Sequence, residues 1–161
     1  KFHFIHRVRP DIQLVRVTEL GELTPEFWQN YFLHLNDWIM MTAKYPHEAS
    51  YIGGGCPPIE TKDGWLLIYH GVHDTIHGYV YTACAALFDL DNPLIELGRL
   101  KIPLFSPEED YEKTGFVNNV CFPNGAIVEN DTLFIYYGAA DERIACASLS
   151  LSSLITELKT A

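Results

Sequence analysis

Gly64-Trp65-Leu66-Leu67-Ile68-Tyr69-His70-Gly71-Val72 returns later in the chain as Asp131-Thr132-Leu133-Phe134-Ile135-Tyr136-Tyr137-Gly138-Ala139. Leu66 and Leu133 stand 67 residues apart, as do Gly71 and Gly138. A proline-bearing apolar segment precedes each copy: Pro57-Pro58-Ile59-Glu60, then Phe122-Pro123-Asn124-Gly125-Ala126-Ile127-Val128. A small-residue segment follows each: Tyr81-Thr82-Ala83-Cys84-Ala85-Ala86-Leu87, then Arg143-Ile144-Ala145-Cys146-Ala147-Ser148-Leu149. A unit of several strands recurring after some tens of residues marks a β-propeller or a related array of stacked sheets. One such unit cannot bury both of its faces, so it needs neighbours.

The chain has 161 residues and 48% hydrophobic content, enough apolar surface for a core. It opens Lys1-Phe2-His3-Phe4-Ile5-His6-Arg7, with no Met and no polar lead-in. That start reads as lying inside a strand, and the expectation is a single unit that forms one portion of a longer propeller. Asp and Glu (21) outnumber Lys and Arg (11), for a formal charge of −10. This disfavours nucleic acid and anionic membranes, both of which need a basic face. No apolar run approaches the roughly 20 residues of a membrane span. Cys56, Cys84, Cys121 and Cys146 sit among apolar or small residues, with no CxxC pair. They are expected to be reduced, buried fillers in a cytoplasmic protein, with a Cys84–Cys146 disulfide as the alternative.

Residues 1–6 and 12–17 alternate as strands, with a turn expected at Arg9-Pro10-Asp11. Thr24-Pro25-Glu26 has the form of a helix start, and Phe27, Tyr31 and Leu35 follow at helical spacing. This predicts a short helix over 25–35, inserted across a sheet surface. Residues 38–43 return to strand composition. Residues 64–72 and 78–90 are predicted to pair around a turn at 72–78, and 91–114 to be loop-rich. Four strands are predicted at 116–121, 124–129, 132–138 and 143–149, then a helical turn or an edge from Ser152 to Leu158. The fold class is therefore all-β: about two and a half propeller blades with a short inserted helix. The open strand edges of such a piece predict self-association into a homo-oligomer.

Several residues stand out chemically. Strand alternation puts Leu66, Ile68, His70 and Val72 on one face, so His70 ends an apolar row. It reads as a core histidine or as a donor at the mouth of a channel. By the 67-residue offset, Tyr137 occupies the position of His70. His70, His73 and His77 have ligand spacing only on a helix, so no metal is expected, and His73 and His77 are expected to be solvated turn residues. Arg7, after an apolar strand, reads as a surface salt bridge or as a bidentate anion holder. Asp141 reads as a turn former or as an acceptor of sugar hydroxyls. Asn118 and Asn119 are polar groups at the start of a buried strand. Gly53-Gly54-Gly55 is a strand kink or a place where backbone passes close to a ligand. It lacks the lysine and helix of a phosphate loop, which excludes that nucleotide-binding reading.

The stretches Gly53–Thr61, Gly64–Val72, Val117–Gly125 and Tyr136–Asp141 together resemble glycoside hydrolase family 130, the mannoside phosphorylases and mannosidases. The resemblance covers about residues 1–158 and implies a five-bladed β-propeller, of which this chain is similar to the C-terminal half. It implies an anion site beside the scissile bond, with Arg7, His70 and Tyr81 as phosphate-binding residues. Tyr51 stands where the family's usual lysine would be. Asp141 resembles an aspartate that holds mannosyl hydroxyls, and Tyr51, Asn119 and Tyr137 complete the implied substrate-binding set. The family's proton donor has no counterpart here, so no catalytic acid is assigned and this chain alone is expected to be inactive. The implied activity is inverting phosphorolysis of β-mannosides to mannose 1-phosphate, with inorganic phosphate as co-substrate and no cofactor. Hydrolysis by water and a non-catalytic carbohydrate-binding propeller remain the alternatives.

Overall fold

The computed structural model describes residues 1–8 and 10–161. Arg9, within the expected turn Arg9-Pro10-Asp11, lies outside the described residues. The described residues form three antiparallel sheets. The first holds β1 (Phe2–Val8), β2 (Asp11–Val17) and β3 (Ile39–Met41), in that order. Between β2 and β3 runs helix α1 (Pro25–Leu33), with Pro25 in its first turn and the Thr24 side chain accepting from the Phe27 amide. These are the start signals read from the sequence, and a capping hydroxyl of this kind contributes about 1 kcal/mol. Tyr31 anchors α1 on Val15 and Val17 of the sheet.

The second sheet holds β4 (Tyr51–Gly54), β5 (Ile59–Thr61), β6 (Gly64–Thr75), β7 (Gly78–Phe88) and β8 (Glu96–Arg99). Its order is β4-β6-β7-β8, with β5 also paired to β6. After the short helix α2 (Asp110–Lys113), the third sheet follows as β9 (Cys121–Glu129), β10 (Thr132–Ala139) and β11 (Arg143–Ser150), with β10 in the middle. Helix α3 (Leu151–Thr160) closes the chain.

The sheets stack through two apolar layers. Leu67, Tyr69, Ala86 and Phe88 of the second sheet meet Ile12, Leu14, Met40 and Met41 of the first. On its other face Leu66, Ile68, Ala85 and Leu87 meet Leu133 and Ile135 of the third, together with Leu154, Ile155 and Leu158 of α3. The second sheet is thus covered on both sides. That is why Leu66-Leu67-Ile68-Tyr69 is an unbroken apolar run rather than an alternating one. Burying each such side chain contributes about 1.5–3 kcal/mol.

Several expectations are corrected. The hairpin turn after β6 is only Ile76-His77, because Thr75 Oγ1 donates to the Gly78 carbonyl and accepts from the His77 amide. His73 is therefore a strand residue with a buried Nδ1, while His77 is an exposed turn residue. β8 was expected as loop; its four residues carry little pattern of their own and form a strand by pairing with β7. Residues 116–120 are not a strand, and β9 is one element rather than two. Pro123 is tolerated there because β9 pairs on one side only, to β10, and the register slips at that point. The last segment is a full helix capped by Ser150. It lies so close to β8 that a Cβ on Gly98 would overlap the Leu158 carbonyl. All four cysteines are free; Cys56, Cys84 and Cys121 are buried, but Cys146 is exposed.

The repeat is also one residue out of register with the 67-residue offset. Leu67 and Tyr69 face the preceding sheet, and in the third sheet the same outlook belongs to Leu133, Ile135 and Tyr137. Tyr137 is therefore the counterpart of Tyr69, and Gly138 that of His70. A one-residue slip turns every side chain to the opposite face. Hydrogen bonding agrees. The Tyr69 hydroxyl donates to Glu48, whose Oε2 accepts from the Lys44 and Tyr45 amides. The Tyr137 hydroxyl donates to Glu112 at 2.5 Å, and Glu112 Oε2 accepts from the Glu108 and Glu109 amides.

Candidate functional site

Arg7, His70, Tyr51 and Tyr81 come together where the three sheets converge. Ladder register explains why. Tyr51 on β4 and Tyr81 on β7 both lie opposite Val72 of β6, one on each side, and Gly53 lies opposite His70. All of these project from one face of the second sheet. The Tyr51 and Tyr81 hydroxyls meet at 2.5 Å. Arg7, near the end of β1, reaches in from the first sheet with its Cζ 4.8 Å from the centre of the Tyr51 ring. Phe122 of β9 closes the third side, its ring 4.4 Å from that of His70 and 6.4 Å from that of Tyr81.

Gly53 is required by this crowding. A Cβ there would lie 2.5 Å from His70 Cε1 and Nε2 and 3.0 Å from Arg7 Nη1. The glycine-rich segment is thus a close-approach site for the His70 ring and the Arg7 guanidinium. Arg7, Gly53 and His70 line a cleft of about 990 Å³, which is also lined by Gly54, Pro57, Trp65 and Asn124.

His70 is 4% exposed, and its Nδ1 is buried without a hydrogen-bond partner among the described residues. Burial pushes its pKa down to about 4, and the Arg7 charge pushes the same way, against a backbone hydrogen bond at Gly54. At neutral pH the ring is neutral, with one N–H donor and one acceptor. A buried imidazole with an unsatisfied nitrogen, its other edge turned toward a guanidinium, is the kind of feature that marks a functional position. Among the described residues, no group of three or more His, Cys, Asp or Glu side chains is placed to hold a metal.

The other candidates lie further out. Asn119 adopts a left-handed backbone with φ of 60°, which asparagine tolerates, and its carbonyl accepts from the Tyr81 amide at 2.9 Å. Ala140, Asp141 and Glu142 form the β10–β11 turn, the first two with φ of 49° and 54°. The Ala140 amide donates to Val120, next to Asn119, so backbone hydrogen bonds tie Asp141 to the same end of the sheets. The Asp141 side chain is exposed and does not line the cleft. Tyr137 is 5% exposed, packs on Phe105 and gives its hydroxyl to Glu112, away from His70. The expectation that it mirrors His70 fails because of the one-residue slip.

Sequence reasoning missed Phe122 as part of the site, having read it only as a strand residue. It also missed Glu48 and Glu112. Their signal was an acid placed three residues after a turn start, the pattern of a capping box. Burial pushes the Glu112 carboxyl up, but hydrogen bonds from Tyr137 and from the Glu109 and Glu108 amides outweigh this and hold its pKa below the ordinary value.

The family model described as beta-1,4-mannooligosaccharide phosphorylase, of glycoside hydrolase family 130, matches residues 2–160. A β-1,2-mannobiose phosphorylase of Listeria innocua is 43% identical over 113 residues, covering 70% of this chain and 31% of the relative. A 1,2-β-oligomannan phosphorylase of a Thermoanaerobacter species is 36% identical over 154 residues, covering 96% of this chain and 48% of the relative. The solved structure of the Listeria innocua enzyme in complex with β-1,2-mannobiose superposes with a TM-score of 0.70 at 40% identity, over 77% of this chain and 35% of that one. The chain thus spans between 31% and 48% of the length of these relatives. Its three stacked sheets are blades of the five-bladed β-propeller that such structures share. The chain belongs to glycoside hydrolase family 130.

Proposed function

We propose that the protein containing this chain cleaves β-mannosides by inverting phosphorolysis, releasing mannose 1-phosphate. The carrying observation is that the Arg7 guanidinium and the His70 ring meet over Gly53 on the wall of one cleft, with the bonded Tyr51–Tyr81 hydroxyl pair packed behind them. Arg7 offers a planar fork matched to two oxygens of inorganic phosphate. The Tyr81 hydroxyl adds an uncharged donor beside the neutral His70 ring. Two of the relatives are named as β-1,2-mannoside phosphorylases, which supports the same reaction class here.

In this reading a phosphate oxygen attacks the anomeric carbon from the face opposite the leaving group. The C–O glycosidic bond breaks, its electron pair goes to the leaving oxygen, and a carboxylic acid protonates that oxygen. The acid is supplied from outside residues 1–161, and no cofactor takes part. Asn119, whose carbonyl accepts from the Tyr81 amide, and Asp141, in the turn next to it, are the residues read as meeting sugar hydroxyls beyond the cleft wall. The free thiols suit a reducing, cytoplasmic setting.

The test is release of mannose 1-phosphate from β-mannobiose and phosphate by the protein that contains this chain, with and without Arg7→Ala. Phosphate-dependent release that Arg7→Ala lowers by about tenfold or more is expected. Release of free mannose at a rate indifferent to phosphate would replace phosphorolysis with hydrolysis. This chain on its own is expected to show no turnover.

A further inference from the structure

We infer that Tyr51 is the positioning residue of the anion corner, holding the Arg7 guanidinium with its ring and the Tyr81 hydroxyl with its own. The inference rests on the phosphate-binding reading of the cleft given above.

Arg7 is the cation proposed to meet the phosphate, yet it sits on an exposed part of β1. A long arginine side chain there loses rotamer freedom when fixed, unless something restricts it beforehand. The Tyr51 ring lies 4.8 Å from the guanidinium carbon, within the range at which a cation is drawn to an aromatic face. Tyr51 is itself immobile. It is 5% exposed, sits in the β4–β6 ladder and is packed edge-on by Tyr79 and Tyr81. A fixed ring therefore narrows the positions open to a mobile cation.

The hydroxyl does a second job. At 2.5 Å from Tyr81 Oη, it couples the two phenols. When Tyr51 donates, the Tyr81 oxygen is polarised and its own O–H becomes a stronger donor toward a further acceptor. Both effects work without a charge at position 51. Tyr51 would thus set the geometry of the corner, and Arg7 its sign.

The experiment measures inorganic phosphate binding to the protein that contains this chain by calorimetry at pH 7, with thermal unfolding of each variant recorded alongside. Arg7→Ala tests the underlying reading. Tyr51→Phe keeps the ring and removes the bond to Tyr81, and Tyr51→Leu removes both. Arg7→Ala is expected to abolish binding. Tyr51→Phe should weaken binding by about three- to tenfold, the value of one hydrogen bond, without lowering the melting temperature. Tyr51→Leu should weaken it further. In a Tyr81→Phe background, Tyr51→Phe should have no additional effect, which a purely structural role would not produce. If Arg7→Ala abolishes binding while both Tyr51 variants bind as the wild type does, the role of Tyr51 is overturned and the phosphate reading stands. If the wild-type protein binds no phosphate, or Arg7→Ala leaves binding unchanged, both are overturned.

Discussion

The second and third sheets share one device and differ in what surrounds it. In each, a tyrosine in the middle strand gives its hydroxyl to a buried glutamate, and that glutamate also caps a tight turn (Tyr69 with Glu48, Tyr137 with Glu112). In the second sheet, Arg99 donates to Glu48 and pairs with Glu96, and the guanidinium, 3% exposed, also donates to the Thr42 carbonyl. In the third, Glu112 has no such partner among the described residues. The position after the tyrosine differs as well: His70 reaches the cleft in one sheet, and Gly138 stands in its place in the other. The repeat thus builds the walls, and the chemistry sits where the copies diverge.

The largest expected contrast comes from the glutamates. Glu48→Gln leaves a buried guanidinium short of a countercharge and should cost about 3 kcal/mol or more. Glu112→Gln weakens hydrogen bonds alone and should cost about 1–3 kcal/mol. Denaturant unfolding of both variants reads the difference, and equal losses would dissolve the distinction between the sheets.

Acid should separate them next. His70 is held neutral, with its folded pKa depressed from 6.5 to about 4. Its contribution is complete above pH 6.5 and is lost as the pH falls toward 4, on the order of 3 kcal/mol in all. The lowered pKa of Glu112 places its loss below the ordinary value of 4.5. Hydrogen exchange followed from pH 7 to 4 should show β6 loosening before β10, and His70→Asn should remove that early phase. Simultaneous loosening in the wild type would contradict the assignment.

A smaller contrast concerns glycines. Gly53→Ala drives a methyl into the His70 ring and should cost about 1–3 kcal/mol, with loss of phosphate binding. Gly138→Ala meets nothing nearer than 3.5 Å and should change stability by less than about 0.5 kcal/mol. Thermal unfolding of the pair checks this.

The smallest effect is chemical. Cys84 of β7 is fully buried and its thiol pKa is pushed up to about 12, whereas Cys146 of β11 is exposed. Iodoacetamide on the native protein should label Cys146 and spare Cys84, as mass spectrometry of peptides would show.

Strands with strong local patterns were readable from residues alone. Leu66-Leu67-Ile68-Tyr69 and Leu133-Phe134-Ile135 could only be buried strands, and Thr24-Pro25 could only start a helix. Elements without such patterns were not readable. β8 is a strand because β7 offers it a ladder, and α3 is a full helix because its apolar side finds the core between the sheets. The site divides in the same way. Arg7 and His70 stood out by residue type, Tyr81 came only through the family resemblance, and the structure does bring them together with Tyr51. Phe122 and the tyrosine–glutamate pairs did not stand out, because nothing in an isolated strand tells which packed neighbour it will meet.

The amino-acid sequence by itself determined that this chain is built of recurring strand units and which residue types are unusual in them, since strand propensity and turn chemistry act over a few residues. Tertiary structure decided which face each strand presents. A shift of one residue reverses that choice without altering composition, and it placed Tyr137 on a glutamate and His70 in the cleft. Only the packing of neighbouring sheets holds energy enough to select between the two registers.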